Sequence, residues 1–545
     1  MKHPYSPWTQ AFSGCFLLLF LHTSCVRHEL DLDRICLKGH PQLGIPLAYS
    51  RMSAAEAIQR FDDNGLVSTG ANGQLSIVYQ SSTAVLYAGD VLVLPDQAFS
   101  ESVSLDQLSG MLLPPGVGMQ VEGSFLWELE SPYGDRLDSV RFASGLAALQ
   151  FTPPSGVSVQ GVFQLRSVDD ATVVLEFPIG TAQSQIQKTT FENLFVDFVN
   201  VPGIANGLRA WYSVELMGTG NQVAGELGFQ FELTNLNLAK AAGYIAPRTI
   251  QMPTVGTAVH MFNNMPQYDV YAEQPRLLFF LSNGLGLGLS VRILELRATV
   301  RSAPTVVIDE DDIFLSPVLA PAAPSGESVL STISVYNESI RPSLSALFNQ
   351  RPTRIEGDME LHVNPDNLPW AFISNAANVS GWLEAEVPLY GSVANFELVD
   401  TVSLSLAKVV SEAEKAGYIS GADIRLRVQN GLPVAMGVNV LFCDSLYQPL
   451  EWLFETTGDV VAAAPVNHQV PVGDPNHGRV TAPSVKVTDI QIPKSRLNDL
   501  THAAFAVISV TGHTTSNGAA SVRFFADDAI EVSLGANIHM SYEGL

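Results

Sequence analysis

Alternation of apolar and polar residues dominates this chain. Val121 to Glu130 runs V-E-G-S-F-L-W-E-L-E, and the same period recurs over Ser139–Phe142, Ala147–Phe151, Val159–Leu165 and Thr172–Phe177. A period of two places one face of a strand in a core and the other in water. Gly, Pro, Asp and Ser interrupt these runs at short spacing, and helical periodicity is scarce. The pattern predicts an all-β chain of tandem antiparallel β-sandwich-like domains with a few short helices, not alternating strand and helix.

Local signals sharpen the ends of elements. Ser53-Ala54-Ala55-Glu56 is a capping box, so a short helix should run through Phe61 and stop near Asn64-Gly65. Asn72-Gly73 lies between Leu66-Val67 and Leu75-Ser76-Ile77-Val78-Tyr79 and predicts a hairpin, because both turn residues tolerate positive φ. Ser339 to Asn349 reads as a second short helix, with Pro342 in its first turn. Residues 313–326 are rich in Pro and Ala, the composition of a stiff extended linker. The expected division is therefore a signal peptide over 1–24, an N-terminal helix-and-hairpin segment over 25–98, a first β-region over 99–312, the linker over 313–326, and a second β-region over 327–545.

The two β-regions echo one another. P-R-L-L-F-F-L-S-N-G-L-G-L at 275–287 matches A-D-I-R-L-R-V-Q-N-G-L-P-V at 422–434, with Asn283 on Asn430, Gly284 on Gly431 and Leu285 on Leu432, an offset of 430 − 283 = 147. Two weaker echoes have other offsets: Glu176–Gly180 against Glu386–Gly391, and Ala242–Ile245 against Ala416–Ile419. Unequal offsets exclude a fixed-period solenoid and favour duplication with loops of different length.

Composition narrows the function. A net charge of −25 with no Lys/Arg cluster argues against nucleic acid. No C-x-x-C occurs, so neither zinc nor redox chemistry of that type is supported. The N-terminus has a weakly basic start, an apolar run from Phe16 to Leu21 and then Thr23-Ser24-Cys25, the layout of a secretory signal. The apolar run is far shorter than the roughly 20 residues of a membrane-spanning helix. Thr-Ser-Cys resembles the lipobox of bacterial lipoproteins, which implies Cys25 as the lipid-attachment residue and anchoring to the membrane through it. Cys15 would leave with the signal. Cys36 and Cys443 then remain, as two free thiols or as one pair.

Several pieces together resemble the large, uncharacterised, β-rich outer-membrane lipoproteins of Bacteroidetes. They are the Ile45-Pro46-Leu47-Ala48 opening, the segment Asp63–Tyr79, the Asn283 and Asn430 turns, Val387–Gly391 and the closing strands Ala504–Met540. The resemblance implies β-architecture and lipid anchoring in the outer membrane, on either face, and no activity.

Candidate chemistry is sparse. There is no G-x-S-x-G, H-E-x-x-H, P-loop or G-x-G-x-x-G. Gly284-Leu285-Gly286-Leu287-Gly288 lacks a following helix and reads as close packing. Asp309–Asp312 offers carboxylates without the spacing of a calcium loop and reads as solvated chain. His468, Asp474 and His477 share a Pro/Gly-rich loop, without metal-ligand spacing. Trp382, Glu384 and Glu386 lie on one strand face, where paired carboxylates would suit a glycosidase and a solvent-facing strand is the simpler account. No catalytic residue, metal or cofactor is assigned. The expected function is a non-enzymatic, lipid-anchored structural, assembly or adhesion protein, its partner an envelope protein or glycan. The alternatives are a glycan- or lipid-binding lipoprotein and, behind it, a carbohydrate hydrolase.

Overall fold

The computed structural model describes residues 38–543 except 40–41, 62–65, 168–171, 181–185, 263–268, 302, 325, 395, 405–418, 455–458, 472–473, 475, 494–495, 497–499, 501, 516–517, 519 and 541. Cys15, Cys25, Cys36, the helix-stop Asn64-Gly65 and most of the Ala416–Ile419 echo lie outside the described residues.

The described chain is nearly all antiparallel strand. Its innermost unit is contiguous. Strands 97–104, 118–128, 136–152, 157–166, 173–179, 186–197, 204–218 and 226–244 form two sheets. Numbered one to eight in chain order, one sheet pairs them 1-8-3-6 and the other 2-7-4-5. That order, two Greek keys wrapped into a sandwich, is a jelly roll.

The same order occurs twice more. In the second unit, strand one is 75–87 with a break at 81–83. After residue 247 come strand two (248–251 and 255–258), 276–283, 289–300, the split fifth strand (306–309 and 318–320), 329–335, 352–363 and 378–388. They again pair 1-8-3-6 and 2-7-4-5. In the third unit, strand one is 42–53, and the others follow residue 395: 396–403, 419–430, 434–443, the split 449–452 and 459–461, 484–493, 505–514 and 529–540. The pairing is the same once more. Each inner roll is thus inserted between strands one and two of the roll outside it. The all-β class and the antiparallel sandwiches agree with the residue pattern, while the order of units is nested.

The expected boundary at 313–326 is corrected. Val318–Ala320 is a strand pairing with Leu289–Val291, and strand 289–300, before the segment, pairs along its length with 352–363, after it. Ala320 and Ala323 are buried. Proline there ends an edge strand rather than separating two domains. Two helices follow their signals. Ser53 Oγ accepts from Glu56 N–H at 3.2 Å while Glu56 Oε2 accepts from Ser53 N–H at 2.8 Å, opening helix Ala54–Phe61. Ser343 caps the second, Leu344–Phe348, shorter than the run expected there. Asn72-Gly73 turns the 66–69/75–80 hairpin, with Gly73 at φ +85°.

The 147-residue echo marks equivalent places in the second and third rolls. Asn283 and Asn430 each end strand three and are fully buried. The Asn283 amide donates to Leu287 O (2.9 Å) and Pro321 O (2.8 Å), and its Oδ1 accepts from Leu285 N–H (2.9 Å). Asn430 donates to Val434 O (2.7 Å) and Ala462 O (2.9 Å) and accepts from Leu432 N–H (2.9 Å). Backbone bonds repeat too: Gly284 N–H to Asn378 O matches Gly431 N–H to Ala529 O. One side chain thereby satisfies the turn and the neighbouring crossover, a buried polar network with its partners in place. The Glu176–Gly180 and Glu386–Gly391 echo has no such equivalence, because the first ends strand five of the inner roll and the second leaves strand eight of the middle roll.

Rolls one and two share a continuous core, and the third has its own. The inner roll is filled by aromatic rings: Trp127 lies 5.1 Å from Phe99 and 5.6 Å from both Phe163 and Phe231. The junction of rolls one and two is pinned by a buried ion pair. Asp135 accepts from Arg248 Nη1 and from Ala246 N–H, both at 2.8 Å, and Arg248 Nε donates to Val91 O at 3.1 Å. Strand 371–374 of roll two also extends a sheet of roll one by pairing with 240–243. Rolls two and three are joined by the three-stranded sheet 269–272/390–394/522–523, where Gly391 brings backbones so close that a Cβ would lie 1.8 Å from Tyr271 O.

Candidate functional site at the free end of the inner roll

In each jelly roll, the connections one–two, three–four, five–six and seven–eight lie at one end, called here the top, and the others at the bottom. The top of roll three carries roll two, and the top of roll two carries roll one. The three rolls therefore stack in one orientation. The chain enters and leaves at the bottom of roll three, where Lys38-Gly39 pairs with Tyr542-Glu543. With strands of roughly ten residues at about 3.3 Å per residue, three rolls make a column on the order of 100 Å long. Its far end is the top of roll one.

That end is chemically unlike the rest of the chain. Three of its connections fall within the stretches 142–165, 177–187 and 216–225, none of which contains Asp, Glu, Lys or Arg, and the fourth, 105–117, contains only Asp106. In a chain of net charge −25 this is a marked exclusion. Connection 181–185 lies outside the described residues, and the other three are laced together by their backbones. Gly110 N–H donates to Val223 O (2.8 Å), Val223 N–H to Met111 O (2.9 Å), Gly220 N–H to Leu113 O (3.1 Å) and Ser155 N–H to Ala224 O (2.8 Å). Gly156 permits the approach: it sits at φ +81°, and a Cβ there would lie 2.2 Å from Gln222 O. Backbone polar groups are thus consumed internally, and apolar side chains face out. Met111 is 51% exposed, Leu112 62%, Val117 47% and Met119 38%. Exposed apolar side chains grouped on one connection are a feature of interaction surfaces.

The residues singled out from sequence are not brought together into a catalytic centre. Trp382, Glu384 and Glu386 do share the outer face of strand 378–388. However, Trp382 stacks on Phe280 at 5.0 Å, and Glu386 is held by Arg276 in a two-pronged pair at 2.6 and 2.7 Å. These are cross-strand pairs of a solvated sheet. Glu310 pairs with Arg292, Asp309 ends strand 306–309, and Glu310–Asp312 is a single 3-10 turn that follows it. His468 and His477 do meet, with rings edge-on and 5.5 Å between centroids. His477 Nδ1 is 2.7 Å from Val470 O, and Asp474 accepts from Asn476 N–H at 2.8 Å within its turn. Among the described residues no three-ligand group that could hold a metal is present. Cys443 is buried, and burial raises its thiol pKa. The Gly284–Gly288 run is close packing as expected: a Cβ on Gly286 would lie 2.3 Å from the Phe372 ring.

Sequence reading missed the apolar end. Its signal was available as four stretches with a single charged residue, Asp106, among their connections, but only the strand order shows that they converge. It also missed a polar row on the outer face of the 2-7-4-5 sheet of roll one. There Arg166 lies 3.8 Å over Trp211, and Gln164 donates to Glu176 at 2.6 Å.

No known protein family matches the sequence, and no curated protein matches it. Solved structures with some likeness include a protein of Parabacteroides distasonis described as secreted, with 11% identity, 55% of this chain and 88% of that chain covered, and a TM-score of 0.31. A structure of infectious bursal disease virus, Gx strain, has 9% identity, 89% and 84% coverage and a TM-score of 0.15. The PBSX exported protein XepA has 8% identity, 53% and 86% coverage and a TM-score of 0.12. At such scores the functional reading rests on this chain's own geometry.

Proposed function

We propose that this chain is a non-enzymatic protein of the cell envelope, lipid-anchored to the outer membrane through Cys25, with a structural, assembly or adhesion role. The observation that carries the reading is the stacking of the rolls: Lys38-Gly39 and Tyr542-Glu543 pair at one end, and the exposed apolar side chains of connection one–two of roll one lie at the other. A tether at Cys25 places that pole farthest from the membrane. Metabolic labelling with a palmitate analogue tests the anchor. Label lost in Cys25→Ala, together with protease shaving of the wild type from intact cells, supports it. Label retained in the variant, or absent from both, refutes it.

A glycan-binding reading is favoured by one observation, the Trp211–Arg166 stack within a row of amide and carboxylate side chains. One face of the half-buried ring is covered by Arg166. Loss of glycan-array binding in Trp211→Ala would support this second reading, and no binding by the wild type would remove it.

A further inference from the structure

We propose that the interruption of strand five in roll two is a binding site for a small aliphatic ammonium compound, its hydrocarbon on the pocket floor and its cationic end at Glu310. The proposal goes beyond the envelope role above and does not depend on it.

The site follows from the sheet register. Strand four of this roll, 289–300, is edged by two separate pieces: 318–320 pairs with 289–291, and 306–309 pairs with 295–298. Arg292 and Ile293 fall in the gap between these pairings. Strand four also bulges there, because its register against 352–363 shifts between Ile293 and Glu295. Bulges re-aim side chains and are over-represented beside functional sites. Strand five of roll one, 173–179, has no such interruption. Residues 310–317 cross the gap and are tied to the chain beyond strand six: Phe314 N–H donates to Ser339 O at 2.8 Å, and Arg341 N–H to Asp312 O at 3.0 Å. Between strand four, this crossing segment and Ile333 of strand six lies a pocket of about 270 Å³. The ties on the crossing segment pre-form it, which limits the ordering cost of binding.

Its lining is amphipathic. Ile293 and Ile333, 3% and 6% exposed, make the floor, and half-buried Ile313 and Leu315 make the walls. Arg292, Glu310 and Ser316 form the rim. The volume falls just below the roughly 300–1,000 Å³ of pockets for drug-sized ligands, so the occupant is a compound of few heavy atoms.

Charge at the rim selects the head group. Arg292 is one guanidinium between two carboxylates, Glu310 and, at 2.9 Å, Glu360. Glu360 is shared further with His362 at 3.2 Å, so Glu310 is the less neutralised of the two. Asp309, Asp311 and Asp312 flank Glu310 in sequence, and Arg341, lying 5.2 Å over the Phe314 ring, is the cation on the far side of the crossing. The excess of carboxylates repels an anionic head and attracts an ammonium. The Glu310 side chain is 53% exposed, so one carboxylate oxygen can meet the ligand while the other stays with Arg292.

Titration of the full chain with n-hexylammonium, followed by ligand-observed NMR, tests the proposal. The expected result is saturable binding, about tenfold tighter than that of hexanol, with none by hexanoate. Shortening the probe to n-propylammonium should weaken binding more than tenfold, since each buried methylene contributes about a factor of four. Glu310→Gln changes only an exposed side chain and should weaken hexylammonium about tenfold, removing its advantage over hexanol. Glu101→Gln, exposed on strand 97–104 of roll one, is the control for diffuse attraction to an acidic chain and should leave binding unchanged. Absence of saturable hexylammonium binding would overturn the proposal, as would hexanoate binding equally well. So would binding indifferent to probe length, or weakened as much by Glu101→Gln as by Glu310→Gln.

Discussion

Replacing Asn283 by Ala should cost the middle roll about 3–5 kcal/mol, and Asn430→Ala should cost the third roll a similar amount. The Asn283 side chain is fully buried and makes bonds of 2.9, 2.8 and 2.9 Å to Leu287 O, Pro321 O and Leu285 N–H, with Ala320 O at 3.3 Å. Each satisfied buried bond contributes about 1 kcal/mol net, and groups left unpaired cost roughly 1–3 kcal/mol, so losing three partners at once gives the stated range. Asn283→Asp should be no milder than Ala, because it turns an oxygen toward carbonyl oxygens. The assay is urea unfolding of chain labelled with fluorotryptophan and followed by fluorine NMR. Trp452 is the sole tryptophan of roll three, whereas Trp370 and Trp382 report roll two. Separate reporters are needed because a three-unit chain need not unfold in one step. The two losses should fall on different reporters and add in the double variant. Losses below about 1 kcal/mol at both sites would refute the view that these amides hold turn and crossover together. A milder effect of Asp than of Ala would do the same.

Three further outcomes are expected. Asp135→Ala leaves Arg248 buried without its partner and should destabilise the roll one–roll two junction by about 3–5 kcal/mol, read as faster proteolysis near residues 88–96 and 245–247. Asp528, buried with Asp527 and Arg479 nearby, has its carboxyl pushed up to about 7, chiefly by desolvation. The folded state therefore binds a proton that the unfolded chain releases, and stability should rise as pH falls from about 7 toward 4. The slope is at most about 1.4 kcal/mol per pH unit, and Asp528→Asn, which can still accept from Phe525 N–H, should flatten it. Cys443 should resist maleimide in native buffer and react fully in urea, because burial both covers the thiol and disfavours its thiolate.

The strands and local ends of this fold were legible because they are short-range. The Ser53/Glu56 box, the Asn72-Gly73 turn and the period of two each encode their own geometry within a few residues. The Asn283/Asn430 repeat was legible because both copies need the same buried amide at the same turn. Nesting was not legible, since nothing local to Leu75 or Ile45 says that its partner strand lies hundreds of residues on. The Pro/Ala stretch at 313–326 misled for a related reason: proline marks an edge strand as well as a linker, and only pairing distinguishes them. The apolar end escaped notice because its pieces are far apart in sequence and each, alone, is an ordinary loop.

Insertion at the same connection, twice over, also dictates an order of assembly in time. Residues 42–53 are made early, yet their neighbour in the sheet, 529–540, is among the last to be made. The inner roll alone has all its strands within one unbroken stretch, so it can close while the rest of the chain is still arriving. The middle roll can follow once 378–388 has emerged, and the outer roll becomes whole only at the end. Each completed roll brings the two flanks of its insertion together, shortening the loop that the next must close. A chain cut short near residue 390 should therefore retain two finished rolls and a dangling first strand, while one that loses its final strand leaves the outer roll open.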